Sequence, residues 1–220
     1  MKDNLPDTEL KSKNHDNIDK MSKKACFQLM INSNEEAVVA VKKAENEIND
    51  IIDQIYKRLN TNKKSRIIYC GAGTSARIAV QDGVELYPTF GWPQNRLDFI
   101  IAGDKKALFQ PVENAEDDVL NASSLVFKKK INQNDVVIAL AASGNTPFTC
   151  QVMAEAKNLG ALTIGVSNNF YGLLNKISEL IVFLDTGPEV VIGSTRLKAG
   201  TSQKICLNII STSLMIKMGR

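Results

Sequence analysis

The chain has 220 residues, of which 44% are hydrophobic and 23% are charged, a composition typical of a globular protein with one sizeable apolar core. Its 27 basic and 24 acidic side chains, with a net charge of +3, are mixed along the sequence, so we expect no nucleic-acid partner, although a small anionic ligand fits. No apolar run approaches the roughly 20 residues of a bilayer span, and the polar start has the features of neither a signal nor a transit peptide. We therefore expect a cytoplasmic protein without membrane insertion.

The inventory of reactive side chains narrows the possible chemistry. His15 is the only histidine, which excludes serine-histidine triads and histidine-rich metal sites. The four cysteines stand far apart, without the paired spacing of a zinc or redox site, and are predicted to be reduced core residues: Cys26, Cys70, Cys150 and Cys206. We predict no metal site, and any general acid or base must be a carboxylate, lysine, tyrosine or cysteine.

The first 60 residues divide into a tail and a helical segment. Residues 1–16 carry few apolar side chains and no periodic pattern, so we predict a flexible tail. Residues 17–60 are predicted to form N-terminal helices that pack on the core or on a dimer partner. Within them, the segment 34–60 has apolar residues at the spacing of one amphipathic helix: Val41, Ile48, Ile52, Ile55 and Leu59.

Five short apolar runs follow the basic turn TNKKSR: RIIYC, LDFIIA, DVVIALA, LTIGV and LIVFLD. Such runs, separated by segments of helical length, predict a parallel sheet, and their continuous apolar character predicts helices on both faces. Residues 61–220 are therefore predicted to form an α/β domain, a doubly wound, five-stranded parallel sheet sandwich of the flavodoxin-like kind. Ligands bind such sheets beyond the carboxyl ends of the strands, where strand order reverses.

A glycine-rich turn follows the first predicted strand. The sequence GAGTSAR brings Gly73, Thr74 and Ser75 to the start of the next helix. Backbone N–H groups and the partial positive charge of a helix start suit a phosphate, and the two hydroxyls add donors. The alternative is that the glycines only form a tight turn and that Ser75 caps the helix.

The same turn also fits a dinucleotide-binding pattern, because Gly71, Gly73 and Ala76 match its Gly-x-Gly-x-x-Gly/Ala form. That pattern alone is weak evidence. It requires an acidic residue about 20 positions further on, at the end of the second strand, whereas the nearest acid beyond that strand is Asp104. We therefore rank a nucleotide site behind a phosphosugar site.

A second turn of this kind follows the strand DVVIALA. It supplies the hydroxyl of Ser143, the flexible Gly144, an N-cap candidate at Asn145 or Thr146, and Pro147 at the first helical position. Because parallel strands end at one edge of a sheet, the two turns can converge on one ligand.

A third segment, GSTRLKAGT at 193–201, precedes the apolar stretch KICLNIISTSLMIKM. Arg196 and Lys198 lie near a helix start, where the macrodipole disfavours cations, so we expect an anionic group nearby. The alternative is ordinary pairing of these cations with Glu189 or Asp185.

Five segments give the chain a specific family resemblance: GAGTSAR, DGVELYPTFG, VENAEDD, AASGNTPF and GPEVVIGSTRLKAGTSQK. In order and separation, over most of residues 17–218, they resemble the N-acetylmuramic acid 6-phosphate etherase branch of the sugar isomerase (SIS) domain family, which implies that 61–220 is a SIS phosphosugar-binding domain. The resemblance implies a lyase that cleaves the lactyl ether of N-acetylmuramic acid 6-phosphate, by elimination and water addition, to N-acetylglucosamine 6-phosphate and D-lactate during recycling of cell-wall sugar. It also implies no metal or redox cofactor, and a homodimer whose interface completes the site.

The resemblance places two functional glutamates at Glu85 and Glu116. Elimination beta to a sugar aldehyde needs a base for the C2 proton and an acid for the departing lactate oxygen. The apolar neighbours of Glu85 are expected to desolvate it and keep it protonated, so Glu85 is predicted to be the acid. Glu116, at an expected helix start, is predicted to be the base. Without the resemblance, Glu116 is more typical of a helix cap or a solvated acidic cluster.

The resemblance further assigns Ser75, Ser143 and Thr146 to the phosphate. It places Ser194 and Lys198 close to the ligand. With the turn residues, the predicted phosphosugar-binding set is Gly73, Thr74, Ser75, Ser143, Gly144, Asn145, Thr146, Ser194 and Lys198. The final helix is apolar nearly all round, which fits burial in a core or an interface.

Three departures from the family pattern accompany these matches. Ala76 stands where glycine is usual, and its methyl is expected to crowd a backbone that approaches the sugar. Asn145 stands where arginine is usual, which removes a fixed cation. After Arg220 we expect the small helical segment of typical members to be absent.

Both glutamates are present despite these departures, so we expect activity with altered substrate choice or weaker binding. A non-catalytic phosphosugar-binding regulator is the main alternative, because the glucokinase regulatory protein is built from related domains and binds sugar phosphates without turnover. An aldose-ketose phosphosugar isomerase is the third possibility, since it shares the domain and also uses a glutamate as proton carrier.

Overall fold

The computed structural model describes Pro6, Thr8, Leu10 and residues 18–220. Apart from those three residues, the predicted flexible tail at 1–16 lies outside the described residues, as does His15. Within the described residues, none of the helices combines the length and apolar character needed to cross a bilayer.

Two helices precede the first strand of the described chain, and helices lie between all later strands. Their order is α1 (Lys23–Lys43), α2 (Glu45–Thr61), β1 (Ile67–Gly71), α3 (Gly73–Val84), α4 (Leu86–Phe90), β2 (Leu97–Ile101), α5 (Val119–Lys128), β3 (Val136–Ala141), α6 (Pro147–Asn158), β4 (Leu162–Ser167), α7 (Leu173–Ile177), β5 (Leu180–Phe183) and α8 (Lys198–Lys217). Each of the five predicted apolar runs forms one of the strands.

The five strands form one sheet in the order β2-β1-β3-β4-β5, and all four pairings are parallel. This confirms the predicted doubly wound α/β fold. The chain moves outward from β1 to β2 on one side and then returns to β3 on the other side of β1. Strand order therefore reverses between β1 and β3, where Gly71 lies opposite Leu140.

Both faces of the sheet are covered, which explains why the strands are continuous apolar runs. Every residue of β1, β3 and β4 is buried. Alternate side chains point into two separate clusters: Ile67 and Tyr69 pack with residues of α2 and α8, whereas Ile68 and Cys70 pack with residues of α5 and α6. The two layers hold the carboxyl ends of β1 and β3 in a fixed position.

The segment predicted as one helix over 34–60 is two helices. Helix α1 begins earlier, at Lys23, and ends at Lys43, and α2 begins at Glu45. The charges explain the break at Ala44, because Lys42 and Lys43 favour a helix C-terminus and Glu45 favours a helix start. Both helices pack against α8 of the same chain.

The four cysteines are free, and Cys70, Cys150 and Cys206 are buried, whereas Cys26 is partly exposed. Burial raises the pKa of Cys150 to about 11 and that of Cys206 to about 12. These two thiols are therefore protonated at neutral pH. Burial and the neighbouring Asp82 also raise the pKa of Tyr69, whose hydroxyl donates a hydrogen bond to Asp82.

Candidate functional site

A cleft of about 470 Å³ opens where strand order reverses between β1 and β3. Its volume falls in the range of sites for small molecules, which is roughly 300–1,000 Å³. The two predicted turns meet there, so the prediction that they converge on one site is supported by their placement. The cleft is lined by Pro6, Ala72, Gly73, Thr74, Ser75, Glu116, Asp117, Ala141, Ala142, Ser143, Asn145, Thr146, Pro147, Gly193 and Thr195.

The first turn presents the start of α3 to the cleft. Gly73 adopts a left-handed backbone (φ 54°) that is easy for glycine, and the chain enters the helix there. The N-cap residue of α3 is Ala72, whose side chain makes no hydrogen bond to the first amides of the helix. The start of this helix therefore remains open to an anion.

Ser75 does not cap α3, because the N-cap residue is Ala72, so the part of the alternative that made Ser75 a cap is wrong. It lies within the first turn of the helix and is 8% exposed. Its Oγ donates a hydrogen bond to Oε1 of Gln203 on α8, at 2.8 Å. The hydroxyl thus lines the cleft while it is also engaged with the protein interior.

The second turn leads from β3 into α6. Thr146 is the N-cap residue and Pro147 occupies the first helical position, as predicted, but the Thr146 side chain makes no capping bond. The Oγ of Ser143 accepts a hydrogen bond from the backbone N–H of Asn145 at 3.2 Å. The start of α6 is therefore the second open helix terminus in the cleft.

The second turn is held by close packing against the loop after β4. Gly144 has φ 67°, and its carbonyl accepts the N–H of Leu174 at 2.8 Å. The Cα of Gly144 lies very close to Gly172: a Cβ added to Gly172 would be 2.7 Å from that Cα. The backbones meet at these two glycines, which fixes the position of Ser143.

We expect Gly172→Ala to destabilise the protein by about 1–3 kcal/mol, because the added methyl overpacks this contact. The backbone of Gly172 itself (φ −59°) is ordinary for alanine. Urea unfolding measures the change. Gly187→Ala is the reference for a substitution without overpacking: it has a left-handed backbone (φ 62°) with nothing close to a new Cβ, so its cost of about 1–2 kcal/mol comes from the backbone alone. A Gly172→Ala variant as stable as the parent protein would contradict the close approach.

The third predicted segment reaches the cleft through Gly193 and Thr195. Ser194 lies between them but is not among the lining residues. The structure does not bring Lys198 to the cleft, in contrast to the prediction, because its ammonium group pairs with Glu36 on α1 and its side chain is 5% exposed. Lys198 instead borders a separate hollow beside α1.

The anionic group expected at the start of α8 is Glu189. Its carboxylate is fully buried and accepts the backbone N–H groups of Lys198 at 3.2 Å and Ala199 at 2.9 Å. Burial raises the pKa of Glu189, and these two N–H groups and the charge of Lys198 oppose the rise. The alternative, in which Asp185 pairs with a cation of this segment, is not observed, because Asp185 pairs with Lys43. The α8 start is thus occupied by the protein's own carboxylate.

Glu116 lies in the cleft, on a short turn at Ala115–Asp117 ahead of α5. The N-cap of α5 is Asp118, whose side chain accepts the N–H of Asn121 at 2.9 Å, so Glu116 does not cap this helix. Glu116 is exposed, and its carboxylate is free to meet a ligand held by the two turns. Asp117 also lines the cleft and was not predicted.

Glu85 does not line this cleft. It joins α3 to α4, and because α3 rises about 1.5 Å per residue over its 12 residues, Glu85 is about 18 Å from the helix start in the cleft. It borders a smaller hollow of about 250 Å³ with Asp82 and Lys204. Glu85 is exposed, so the expectation that its own chain desolvates it is wrong.

Ala76 and Asn145, the two residues that depart from the family pattern, make local contacts in this structure. Ala76 is buried beside Ile101 and Ala107 and does not line the cleft, so its methyl does not crowd a ligand there as expected. Asn145 uses its Oδ1 to accept the N–H of Leu173, the first residue of α7, at 2.8 Å. This side chain ties the second turn to the neighbouring loop and brings no charge to the cleft.

A larger hollow of about 790 Å³ lies at the opposite, amino end of the sheet. It borders Lys63 and Lys64, ahead of β1, and Arg96, ahead of β2. Ligands of open parallel sheets bind at the carboxyl ends of the strands. We therefore assign the functional site to the smaller cleft at the strand reversal.

Known proteins share the fold of this chain and part of its sequence. Residues 47–157 match the model of the glucokinase regulatory protein N-terminal SIS domain. Among solved structures, a phosphoheptose isomerase from Francisella tularensis has a TM-score of 0.66 at 18% identity, over 89% of this chain and 97% of that one. The Vibrio vulnificus NanR protein complexed with ManNAc-6P has a TM-score of 0.59 at 14% identity, over 85% of this chain and 62% of that one. At such identities these structures show the shared fold.

Curated sequences are closer. The N-acetylmuramic acid 6-phosphate etherase of Mycoplasma mycoides subsp. mycoides is 40% identical over 214 residues, which is 97% of this chain and 70% of that protein. The enzyme of the same name from Clostridium acetobutylicum is 39% identical over 222 residues, covering 100% of this chain and 73% of that protein. Matches of this identity and extent establish that the chain belongs to the N-acetylmuramic acid 6-phosphate etherase family.

Proposed function

We propose that the protein is a lyase that cleaves the lactyl ether of N-acetylmuramic acid 6-phosphate and releases N-acetylglucosamine 6-phosphate and D-lactate. The observation that carries the proposal is the meeting of two open helix starts with Glu116 in one cleft. Relatives named for this activity align over nearly the whole chain. We place the enzyme in the cytoplasm, where sugar phosphates occur and cysteines stay reduced.

The phosphate of the substrate binds at the starts of α3 and α6. Each start offers backbone N–H donors and a partial positive charge, and neither is capped by its N-cap side chain. Hydroxyls of Thr74, Ser143 and Thr146 line the same cleft. The start of α8 takes no part, because Glu189 already occupies its amides.

The chemistry requires two proton transfers. A base removes the C2 proton, the electron pair forms the C2–C3 double bond, and the C3–O bond breaks as an acid protonates the lactate oxygen. Water then adds to C3 and a proton returns to C2, which gives the product sugar. We assign the base role to Glu116, because it lines the cleft and is exposed there.

The acid, Glu85, is supplied by the second subunit of a homodimer. Within one chain Glu85 is too far from the cleft to touch the same sugar as Glu116. Two apolar side chains close to it in sequence, Val84 (48% exposed) and Tyr87 (55% exposed), reach the surface, and the proposed interface would cover them. Burial there would also provide the desolvation that keeps a carboxyl group protonated.

A phosphosugar-binding regulator is the second candidate function. The match to the glucokinase regulatory protein SIS domain and the distance of Glu85 from the cleft favour it. Such a protein would bind the ligand through the same two helix starts without turnover.

Release of D-lactate separates the two candidates. We expect the purified protein, incubated with N-acetylmuramic acid 6-phosphate, to produce D-lactate and N-acetylglucosamine 6-phosphate in equal amounts. Tight binding of the substrate without lactate would reject the lyase and favour the regulator. Absence of both binding and lactate would reject the assignment of the cleft.

A further inference from the structure

The hollow that Glu85 borders also contains a cation. This hollow of about 250 Å³ lies between the end of α3 and one face of α8, and Lys204 of α8 is the only lysine or arginine among the described residues that line it. Lys204 is exposed, and within the described part of the chain no carboxylate lies at ion-pair distance from its ammonium group. Its charge is therefore available to an anionic group that enters the hollow.

Buried hydrogen bonds hold α8 beside the end of α3. The carboxylate of Asp82, on α3 and 6% exposed, accepts Nδ2–H of Asn208 at 2.8 Å and the hydroxyl of Ser211 at 2.9 Å. Asn208 lies one helical turn after Lys204 in the sequence, so the two share one face of α8. Glu85 follows Asp82 at the end of α3. These bonds fix the backbone of Lys204 near that of Glu85, and they engage Asp82 with the protein.

The phosphate-binding cleft, in contrast, offers no side-chain cation among its described lining residues, which include the acids Glu116 and Asp117. The starts of α3 and α6 suit one anionic group, the phosphate. A second anionic group on the same ligand would meet two carboxylates in this cleft and be repelled by them. The charge of such a group has to be balanced by a cation from outside the cleft.

The substrate of the proposed reaction carries a second anion on its leaving group. In the lactyl ether, a single carbon separates the ether oxygen on C3 from the carboxylate. The acid that protonates this oxygen therefore acts next to a negative charge. In the proposed dimer Glu85 is that acid, and Lys204 of the same subunit enters the site with it, because both border one hollow.

We infer that Lys204 binds the carboxylate of the lactyl group and so distinguishes N-acetylmuramic acid 6-phosphate from sugar phosphates that lack this group. The exposed hydroxyl of Thr212 borders the same hollow and can donate a second hydrogen bond to the carboxylate. A ligand carboxylate held beside Glu85 also favours the protonated form of that acid, because neighbouring like charges disfavour a second ionised group. The inference rests on the proposed function, in which Glu85 of the second subunit reaches the C3 oxygen.

Calorimetry with two sugar phosphates tests this inference. N-acetylmuramic acid 6-phosphate carries the lactyl carboxylate, whereas N-acetylglucosamine 6-phosphate does not. Both are titrated into the Glu116→Gln protein, in which turnover is expected to be slow, and into the same protein with Lys204→Gln added. We expect Lys204→Gln to weaken N-acetylmuramic acid 6-phosphate about ten-fold, the scale of a hydrogen bond between charged groups. Binding of N-acetylglucosamine 6-phosphate should change less than about two-fold, which also shows that the variant is folded.

Two further variants are controls in the same background. Lys204→Arg keeps a cation that binds carboxylates and should retain most of the preference for N-acetylmuramic acid 6-phosphate. Arg196→Gln removes a cation next to Thr195, which lines the cleft, but Arg196 is not itself among the lining residues. It should change both affinities less than about two-fold.

The possible outcomes separate this inference from the proposed function. Equal effects of Lys204→Gln on the two ligands would overturn the inference, as would a selective loss that appears in Arg196→Gln instead. If the protein with Lys204 intact releases D-lactate in such a case, the proposed function stands without the inference. If the parent protein binds neither ligand, the proposed function fails and the inference fails with it.

Discussion

Replacing Glu116 by glutamine is expected to lower the rate of D-lactate release by at least about 100-fold, the usual scale for loss of a general base. Glutamine keeps the size of the side chain but cannot take the C2 proton. Since Glu116 lines the cleft without capping α5, the change should leave the fold intact. Binding of N-acetylglucosamine 6-phosphate, measured by calorimetry, should change only a few-fold.

Asp117→Asn is the matched control for this prediction. Asp117 is adjacent in the chain and lines the same cleft, so the control removes an equal charge from nearly the same place. We expect it to keep the lactate rate within a few-fold of the parent protein. Near-normal turnover in Glu116→Gln would remove Glu116 from the mechanism, and collapse of the rate in Asp117→Asn alone would make Asp117 the base.

The sheet and its two ligand-facing turns could be predicted because they depend on residues that are close together in the sequence. A buried strand that runs into a glycine-rich helix start is a local pattern, and both β1 with α3 and β3 with α6 follow it. The carboxyl ends of parallel strands lie at one edge of a sheet. Convergence of the turns near Ser75 and Ser143 therefore follows from the fold class.

The predictions that failed depended on partners distant in sequence. Lys198 was placed near the ligand on family pattern, but its partner is Glu36, 162 positions away. Ser75 was considered as a helix cap, but its hydroxyl donates to Gln203, 128 positions away. Nothing in the sequence near Ser75 indicated that a buried glutamine on α8 would accept its hydrogen bond.

The altered second turn changes how charge is distributed in the cleft. An arginine at position 145 would bring a cation, whereas Asn145 is neutral and its Oδ1 accepts a hydrogen bond from the N–H of Leu173. Among the residues that the structure describes around the cleft, the proposed donors to the anion are N–H groups and hydroxyls at the helix starts. Such neutral donors depend on correct orientation, which makes the close contact of Gly144 with Gly172 important for binding.

The position of Glu85 makes a second prediction with a large effect. We expect Glu85→Gln alone to lower lactate release at least about 100-fold, because the departing oxygen loses its acid. If the partner subunit supplies Glu85, a dimer with Glu85→Gln in one subunit and Glu116→Gln in the other has one site with both glutamates and one with neither. Random pairing of equal amounts makes half of the dimers mixed, so about a quarter of the parent activity should return in a two-fold symmetric dimer.

Co-expression of the two inactive variants, with a different tag on each, measures this recovery. The control pairs Glu116→Gln with Ser143→Ala. Both residues line the same cleft, so every site in a mixed dimer carries one of the two changes. The activity of this mixture should therefore not exceed the mean of the two variants. Recovery confined to the Glu85 pair would place that carboxylate across the interface. No recovery in either pair would leave two explanations. Either each subunit uses its own Glu85, which the roughly 18 Å length of α3 allows only if the connection after this helix moves, or Glu85 takes no part in the reaction.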